Sequence, residues 1–225
     1  MLADADGLGV DRLVCLGDLV GYGADPGVVV DRVASRNAIV VAGNHDHASV
    51  GLADLEWFNP HARRAAEWTA DRLDRGQARF LSGLPLVLEH TGATLVHASP
   101  LNPAEWPYLL SLAEGVEAFG SVETPLCFIG HSHVPAVWTF RSAGRVVFRR
   151  GGGQTLLQAG ERYLINVGSV GQPRDGDPDA AYAVWDLEAS LVEVRRVPYD
   201  AAEARRRIHA AGLPRILGDR LLGGR

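Results

Sequence analysis

Residues 11–47 read DRLVCLGDLVGYGADPGVVVDRVASRNAIVVAGNHDH. Two apolar runs, Asp11 to Leu16 and Ala38 to Ala42, have the length of buried strands. The first ends in Gly17-Asp18 and the second in Gly43-Asn44-His45-Asp46-His47. Between them Asp25-Pro26 opens a helix running to about Ser35, with proline in the first turn, where its missing N–H is not needed. Polar residues at the carboxyl ends of strands matter, because sites in open α/β sheets form there.

The pattern continues outward. Pro60 to Leu73 has helical spacing, and a shorter helix covers 77–83. Leu86 to Glu89 and Thr94 to His97 read as a strand pair across His90-Thr91-Gly92. Leu126 to Ile129 is a strand ending in Gly130-His131-Ser132-His133. The second half is strand-rich, with Ala136 to Phe140, Arg145 to Arg149, Tyr163 to Val167, Ala181 to Asp186 and Leu191 to Val197 joined by short turns. A helix from about Ala201 to Ala211 follows, and the Gly- and Pro-containing tail from Leu213 is expected to pack loosely. Early strand–helix units before a strand-rich half imply an α/β fold of two packed mixed sheets flanked by helices. We expect one domain over 1–225, because the candidate ligands come from both halves.

Composition narrows the chemistry. Hydrophobic residues make up 47% and charged residues 22%, as in an ordinary globular chain. All 22 basic residues are arginine, so a Walker A lysine, a Schiff-base lysine and a Ser-x-x-Lys nucleophile are excluded. A net charge of −5 does not favour a nucleic-acid-binding surface. No apolar run suits a membrane span, and Met1 to Asp6 lacks the features of a signal peptide, so a cytoplasmic location is expected. Cys15 and Cys127 sit in apolar runs outside any Cys-x-x-Cys pattern and read as buried free thiols.

Four strand ends would deliver Asp18, Asn44, His97, His131 and His133 to one rim. Singly, each could be a turn or loop residue; together they form a metal-ligand set. Oxygen and imidazole donors without thiolate suit Mn²⁺, Fe or Zn²⁺. A carboxylate can bridge two metals, and Asp18 is the candidate bridge. His47 reads as a rim residue, and His61, His90 and His209 carry no pattern. Trp57, Phe58 and Trp68 belong to the core or to a pocket wall.

In order and spacing, the chain resembles the calcineurin-like metallophosphoesterases, within them the small bacterial phosphodiesterase-like group. The segments that carry the resemblance are Gly17-Asp18-Leu19-Val20-Gly21-Tyr22-Gly23, Gly43-Asn44-His45-Asp46, Val96-His97-Ala98-Ser99-Pro100, Gly130-His131-Ser132-His133 and Asn166 to Arg174. The resemblance implies Asp18 as the bridging ligand, with Asn44, His97 and His131 completing one metal and His133 serving the other. It implies two divalent ions, Mn²⁺ favoured, and a metal-bound hydroxide that attacks a small phosphodiester or phosphomonoester. His45 would contact phosphate and protonate the leaving oxygen, and Arg174 would bind a substrate phosphate, since guanidinium matches phosphate oxygens.

One departure qualifies this. The family's first motif, Asp-x-His at the end of a first strand, does not occur here, and Met1 to Val10 read as the end of the following helix. The expectation is therefore a fold missing its first strand, with Met1 an internal methionine and the start roughly 20–25 residues upstream, the length of a strand, loop and most of a helix. The competing reading is a noncatalytic scaffold of the same fold. A metal amidohydrolase built on His45-x-His47 is weaker, since eight strand–helix repeats are absent.

Overall fold

The computed structural model describes residues 1–142 and 144–225. The elements in chain order are α1 (Leu2–Gly7), β1 (Val14–Cys15), α2 (Pro26–Ala34), β2 (Ile39–Val40), α3 (Asn44–Ser49), α4 (Pro60–Ala70), α5 (Arg75–Ser82), β3 (Val87–His90), β4 (Ala93–Val96), α6 (Leu112–Phe119), β5 (Leu126–Ile129), β6 (Ala136–Phe140), β7 (Val146–Arg150), β8 (Gly153–Leu156), β9 (Arg162–Asn166), β10 (Ala180–Asp186), β11 (Leu191–Val197), α7 (Ala201–Ala210) and α8 (Arg215–Asp219).

The largest sheet is mixed and six-stranded, in the order β3-β4-β5-β9-β6-β7. Its centre is parallel, with Phe128 of β5 between Leu95 of β4 and Ile165 of β9. Such strands are covered on both faces, so they read as continuous apolar runs. Side-chain alternation then sorts their residues. Leu126, Phe128, Tyr163 and Ile165 face one core with Val192 and Val194 of β11. Cys127, Ile129, Leu164 and Trp138 face the other, against Ala118 and Phe119 of α6.

The expected mixed-sheet α/β architecture is present, with the second layer divided. A parallel pair, β1 and β2, and an antiparallel sheet, β10-β11-β8, stand as separate sheets among the described residues. α2 and α5 cover β1 and β2 through Val30, Val33 and Leu81. The helix at the start is tied down at both ends of the charge pattern. Asp6 pairs with Arg36 after α2 at 2.6 Å, and Asp4 accepts from Tyr182 of β10 and Arg195 of β11.

Four elements, α3, α6, β8 and α8, escaped the sequence reading. α3 begins on the ligand stretch itself, β8 is only four residues long, and α6 is an amphipathic helix capped by Ser111. The tail is also structured, contrary to expectation. Leu213, Leu217 and Leu221 pack with Ile208 of α7 onto Ala65 and Trp68 of α4, and Trp68 donates its indole N–H to the Ala211 carbonyl at 3.0 Å. Leucines four residues apart give the tail an apolar side, which packs on α4 and α7. No helix among the described residues is long and apolar enough to cross a membrane.

One glycine in α6 carries a sharp prediction. A Cβ on Gly115 would lie 2.1 Å from Trp138 Cδ1, and Trp138 is fully buried. Gly115→Ala is expected to destabilise the protein by about 1–3 kcal/mol, the usual cost of overpacking a filled core. Urea unfolding would measure this, and a midpoint equal to wild type would mean that α6 shifts without cost.

Candidate metal centre

The loops after β1, β2, β4 and β5 meet at one place. A Cβ on Gly43 would fall 2.2 Å from Asp18 Oδ1 and 2.3 Å from the Asp18 nitrogen, and one on Gly17 would fall 2.4 Å from the Gly43 nitrogen. Only glycine on both sides lets the β1 and β2 loops touch backbone to backbone. Three of the candidate ligands are in the left-handed region without being glycine: Asp18 (φ 54°), His131 (φ 61°) and His133 (φ 61°). Such conformations cost of order 1–3 kcal/mol each and gather where side-chain direction matters more than local comfort.

The acidic and imidazole groups converge. One ligand atom each of Asp18, His97 and His131 lie within 4.8 Å of one another. His97 Nε2 is 3.1 Å from His131 Nδ1 and 3.5 Å from Asp18 Oδ2. His97 Nδ1 lies 2.6 Å from the Leu16 carbonyl, and His133 Nδ1 lies 2.6 Å from the Gln172 carbonyl. A carbonyl only accepts, so both Nδ1 atoms carry the proton. In the neutral ring that leaves Nε2 as the lone pair, the arrangement of metal-ligating histidines whose other nitrogen is anchored. The Asp18 carboxylate is itself steered by the His45 backbone N–H at 2.9 Å and the Tyr22 hydroxyl at 3.3 Å.

Buried polar atoms without partners test whether a cation fits. Asn44 Oδ1, His131 Nε2 and His45 Nδ1 are buried with no hydrogen-bond partner among the described residues. Unsatisfied buried acceptors are costly, so several in one cleft imply an occupant. The donor set is one carboxylate, one amide oxygen and imidazoles, with no sulfur, which suits a hard or borderline divalent cation. The residues present therefore fit a metal.

Electrostatics agree with a cluster short of positive charge. Burial alone would raise the Asp18 carboxyl, but the facing His97 imidazole, by charge and hydrogen bond, holds it well below the usual carboxylate range. Burial works against the His97 imidazolium, yet Asp18 beside it raises its pKa. Burial lowers His45 to about 4, and His131 and His133 to about 3, keeping all three rings neutral and able to donate lone pairs. Cys15 and Cys127 are free and contribute nothing; burial pushes the Cys15 thiol up to about 12.

The residue that sequence reasoning missed is Asp46. Fully buried, it accepts from the backbone N–H groups of Asp18 (2.8 Å), Leu19 (2.9 Å), Val20 (3.3 Å) and Gly43 (2.9 Å). It fastens the two ligand-bearing loops to each other. Burial, and then the Asp18 charge, push its carboxyl up to about 7, while the N–H groups of Gly43 and Asp18 favour the ionised form. Nothing in the local sequence signals this, because three of its four partners lie 26–28 residues away.

The walls of the cleft are aromatic. Tyr22 lies on the His45 ring at 4.1 Å and Phe58 meets its edge at 5.0 Å. Tyr108 stacks on His131 at 4.1 Å, and Trp106 presents its ring to His97 and His47. Trp57 is 89% exposed at the mouth, whereas Trp68 is in the core. Arg174 and Arg220 line the other side with Tyr22 and His45.

Comparisons with known proteins point one way. Residues 1–190 match the model of the calcineurin-like phosphoesterase superfamily domain. An uncharacterized protein of Methanocaldococcus jannaschii is 37% identical, aligned over all of this chain and 91% of its own length. The crystal structure of a metallophosphoesterase from Sphaerobacter thermophilus is 38% identical with a TM-score of 0.85, covering 99% of this chain and 92% of that one. A hypothetical protein from Pyrococcus horikoshii shares the fold at 20% identity, with a TM-score of 0.78 over all of this chain and 91% of its own.

Proposed function

This chain belongs to the calcineurin-like phosphoesterase superfamily, and on that footing we propose that it hydrolyses a small phosphodiester or phosphomonoester at a centre holding two divalent ions. The observation that carries the reading is the set of buried, unpartnered acceptors around Asp18, Asn44 Oδ1 and His131 Nε2 foremost. Asp18, Asn44, His97 and His131 would hold one ion, and Asp18 with His133 would contribute to the other. When bound, such ions activate water and neutralise charge that builds on the phosphoryl oxygens; Mn²⁺ is the favoured occupant.

The protein's own residues do the rest. Asp18 would bridge, because its two oxygens are aimed by separate donors, the His45 N–H and the Tyr22 hydroxyl. His97 and His133 are oriented by the Leu16 and Gln172 carbonyls, so holding a ligand would cost them little rotamer entropy. His45 is held between Tyr22 and Phe58 and would act on the leaving group. As the water oxygen, its proton released to solvent, bonds to phosphorus and the ester P–O bond breaks, a proton on His45 would pass to the departing oxygen, and His45 would be reprotonated from solvent. Burial opposes that proton, and the negative charge of a bound phosphoryl group would favour it. Arg174 would bind a phosphate oxygen from the opposite wall.

The test is Mn²⁺-dependent hydrolysis of aryl phosphodiesters with leaving groups of graded pKa. Chelation is expected to abolish turnover and Mn²⁺ to restore it. His45→Ala should lower kcat by about 10²–10⁴-fold, with the larger losses on the poorer leaving groups. An equal loss across the series would remove His45 from the acid role. A protein that purifies without metal and shows no turnover would be a scaffold, not an enzyme.

A further inference from the structure

The C-terminal tail reaches the site. α8 and the single turn after it, Arg220–Gly223, are held on α4 by Leu217 and Leu221, and the Gly224 carbonyl accepts from the Gly176 N–H at 2.9 Å. This places Arg220 in the same cleft wall as Arg174. The two guanidiniums converge on a single neutral atom, Gln172 Oε1. Arg174 donates to it from Nη2 at 2.9 Å and Nε at 3.3 Å, and Arg220 from Nη1 at 3.3 Å. Gln172 is only 1% exposed, and its Nε2 has no partner among the described residues.

Neither arginine has a carboxylate within ion-pair distance among the described residues. Three arginines of the neighbouring helix α7 do have such partners: Arg205 with Asp219, Arg206 with Glu203 and Arg207 with Asp25. Two like charges on one amide oxygen, in a half-buried wall, leave a positive site that an anion would satisfy. Planar guanidiniums are the side chains best matched to phosphate oxygens. The pair sits one aromatic ring away from the metal centre. Arg174 is 5.7 Å from the Tyr22 ring, whose neighbours include His45, His133 and, through its hydroxyl, Asp18.

We propose that Arg174 and Arg220 form a second anion subsite that holds a non-scissile phosphate, making the substrate an ester with two or more linked phosphates. Here the substrate class rests on the hydrolytic reading above, while the anion site rests on the arginine geometry alone. A single phosphate would leave one of the two subsites unfilled, so the chain should discriminate against simple monoesters.

Calorimetric titration of metal-free protein separates the two claims, because metal chelation and turnover play no part in it. The probes are inorganic tripolyphosphate and inorganic phosphate. Tripolyphosphate is expected to bind wild type at least about tenfold more tightly than phosphate, and Arg174→Gln or Arg220→Gln should each weaken it by roughly tenfold or more, the scale of a lost charge-assisted hydrogen bond. Arg215→Gln, which removes an exposed charge from the same tail, should change it little. Arg220→Lys keeps the charge and guards against a loosened tail; it should lose less than Arg220→Gln. Tripolyphosphate affinity that is unchanged in Arg220→Gln, or that falls equally in Arg215→Gln, overturns the subsite. Intact binding with no Mn²⁺-dependent turnover would instead refute the hydrolytic reading and leave the anion site standing.

Discussion

Replacing Asp18 with alanine is expected to lower metal-dependent hydrolysis by about 10³-fold or more, the scale at which loss of one preorganised electrostatic group is felt. Asp18 is the one carboxylate in the cluster with His97 and His131. Without it, imidazoles and an amide oxygen would face the proposed divalent cations with no compensating charge. Asp18→Asn is the finer probe, since it keeps the shape and one oxygen but neither the charge nor a second anionic oxygen for a bridge. We expect its metal content to fall below that of wild type, and the thermal stabilisation produced by added Mn²⁺ to shrink with it. Kinetics with elemental analysis of the purified proteins would measure both. Activity within tenfold of wild type in Asp18→Ala would overturn the bridging role.

The second large effect is on folding. Asp46→Ala should destabilise the protein by about 3–5 kcal/mol, because buried backbone N–H groups lose their acceptor at about 1–3 kcal/mol each, less where water enters. At roughly 2–4 °C per kcal/mol for a chain of this size, the melting point should fall by about 10 °C. Asp46→Asn should be nearly as harmful, since its amide nitrogen must point at N–H groups that need an acceptor. Activity should fall as well, because the same contacts hold Asp18 and Gly43 together. A melting point within 2 °C of wild type would show that water replaces the carboxylate at no cost, contrary to the usual cost of a buried donor without a partner.

These two aspartates show what a reading by residue pattern can reach. Asp18 and His131 stood out because each follows a short apolar run and a glycine, His97 because it ends an apolar run, and His133 because it completes Gly-His-x-His. In the structure Asp18, His97 and His131 lie together as that pattern implies. Asp46 follows two residues already singled out and has no pattern of its own. Its importance lies in N–H groups contributed from the β1 loop, which no local window contains. The strand at Leu126 to Ile129 was legible to the residue, since apolar runs bounded by turns are local. The first strand shrank from Asp11–Leu16 to Val14–Cys15, and the ligand stretch after β2 turned into α3, because pairing and capping decide those boundaries.

The sequence by itself therefore determined the α/β class, most of the element order and the polar residues at the strand ends, since hydrophobic period and glycine position act over a few residues. Tertiary structure alone decided what surrounds those donors. It brought Arg220 to within 3.3 Å of Gln172 across 48 residues, turned Tyr22, Phe58 and Tyr108 onto the histidines, and packed the tail that seemed too glycine-rich to hold. The physical reason is that a ligand's chemistry travels with its own side chain, whereas orientation, charge balance and burial depend on neighbours that only the folded core assembles.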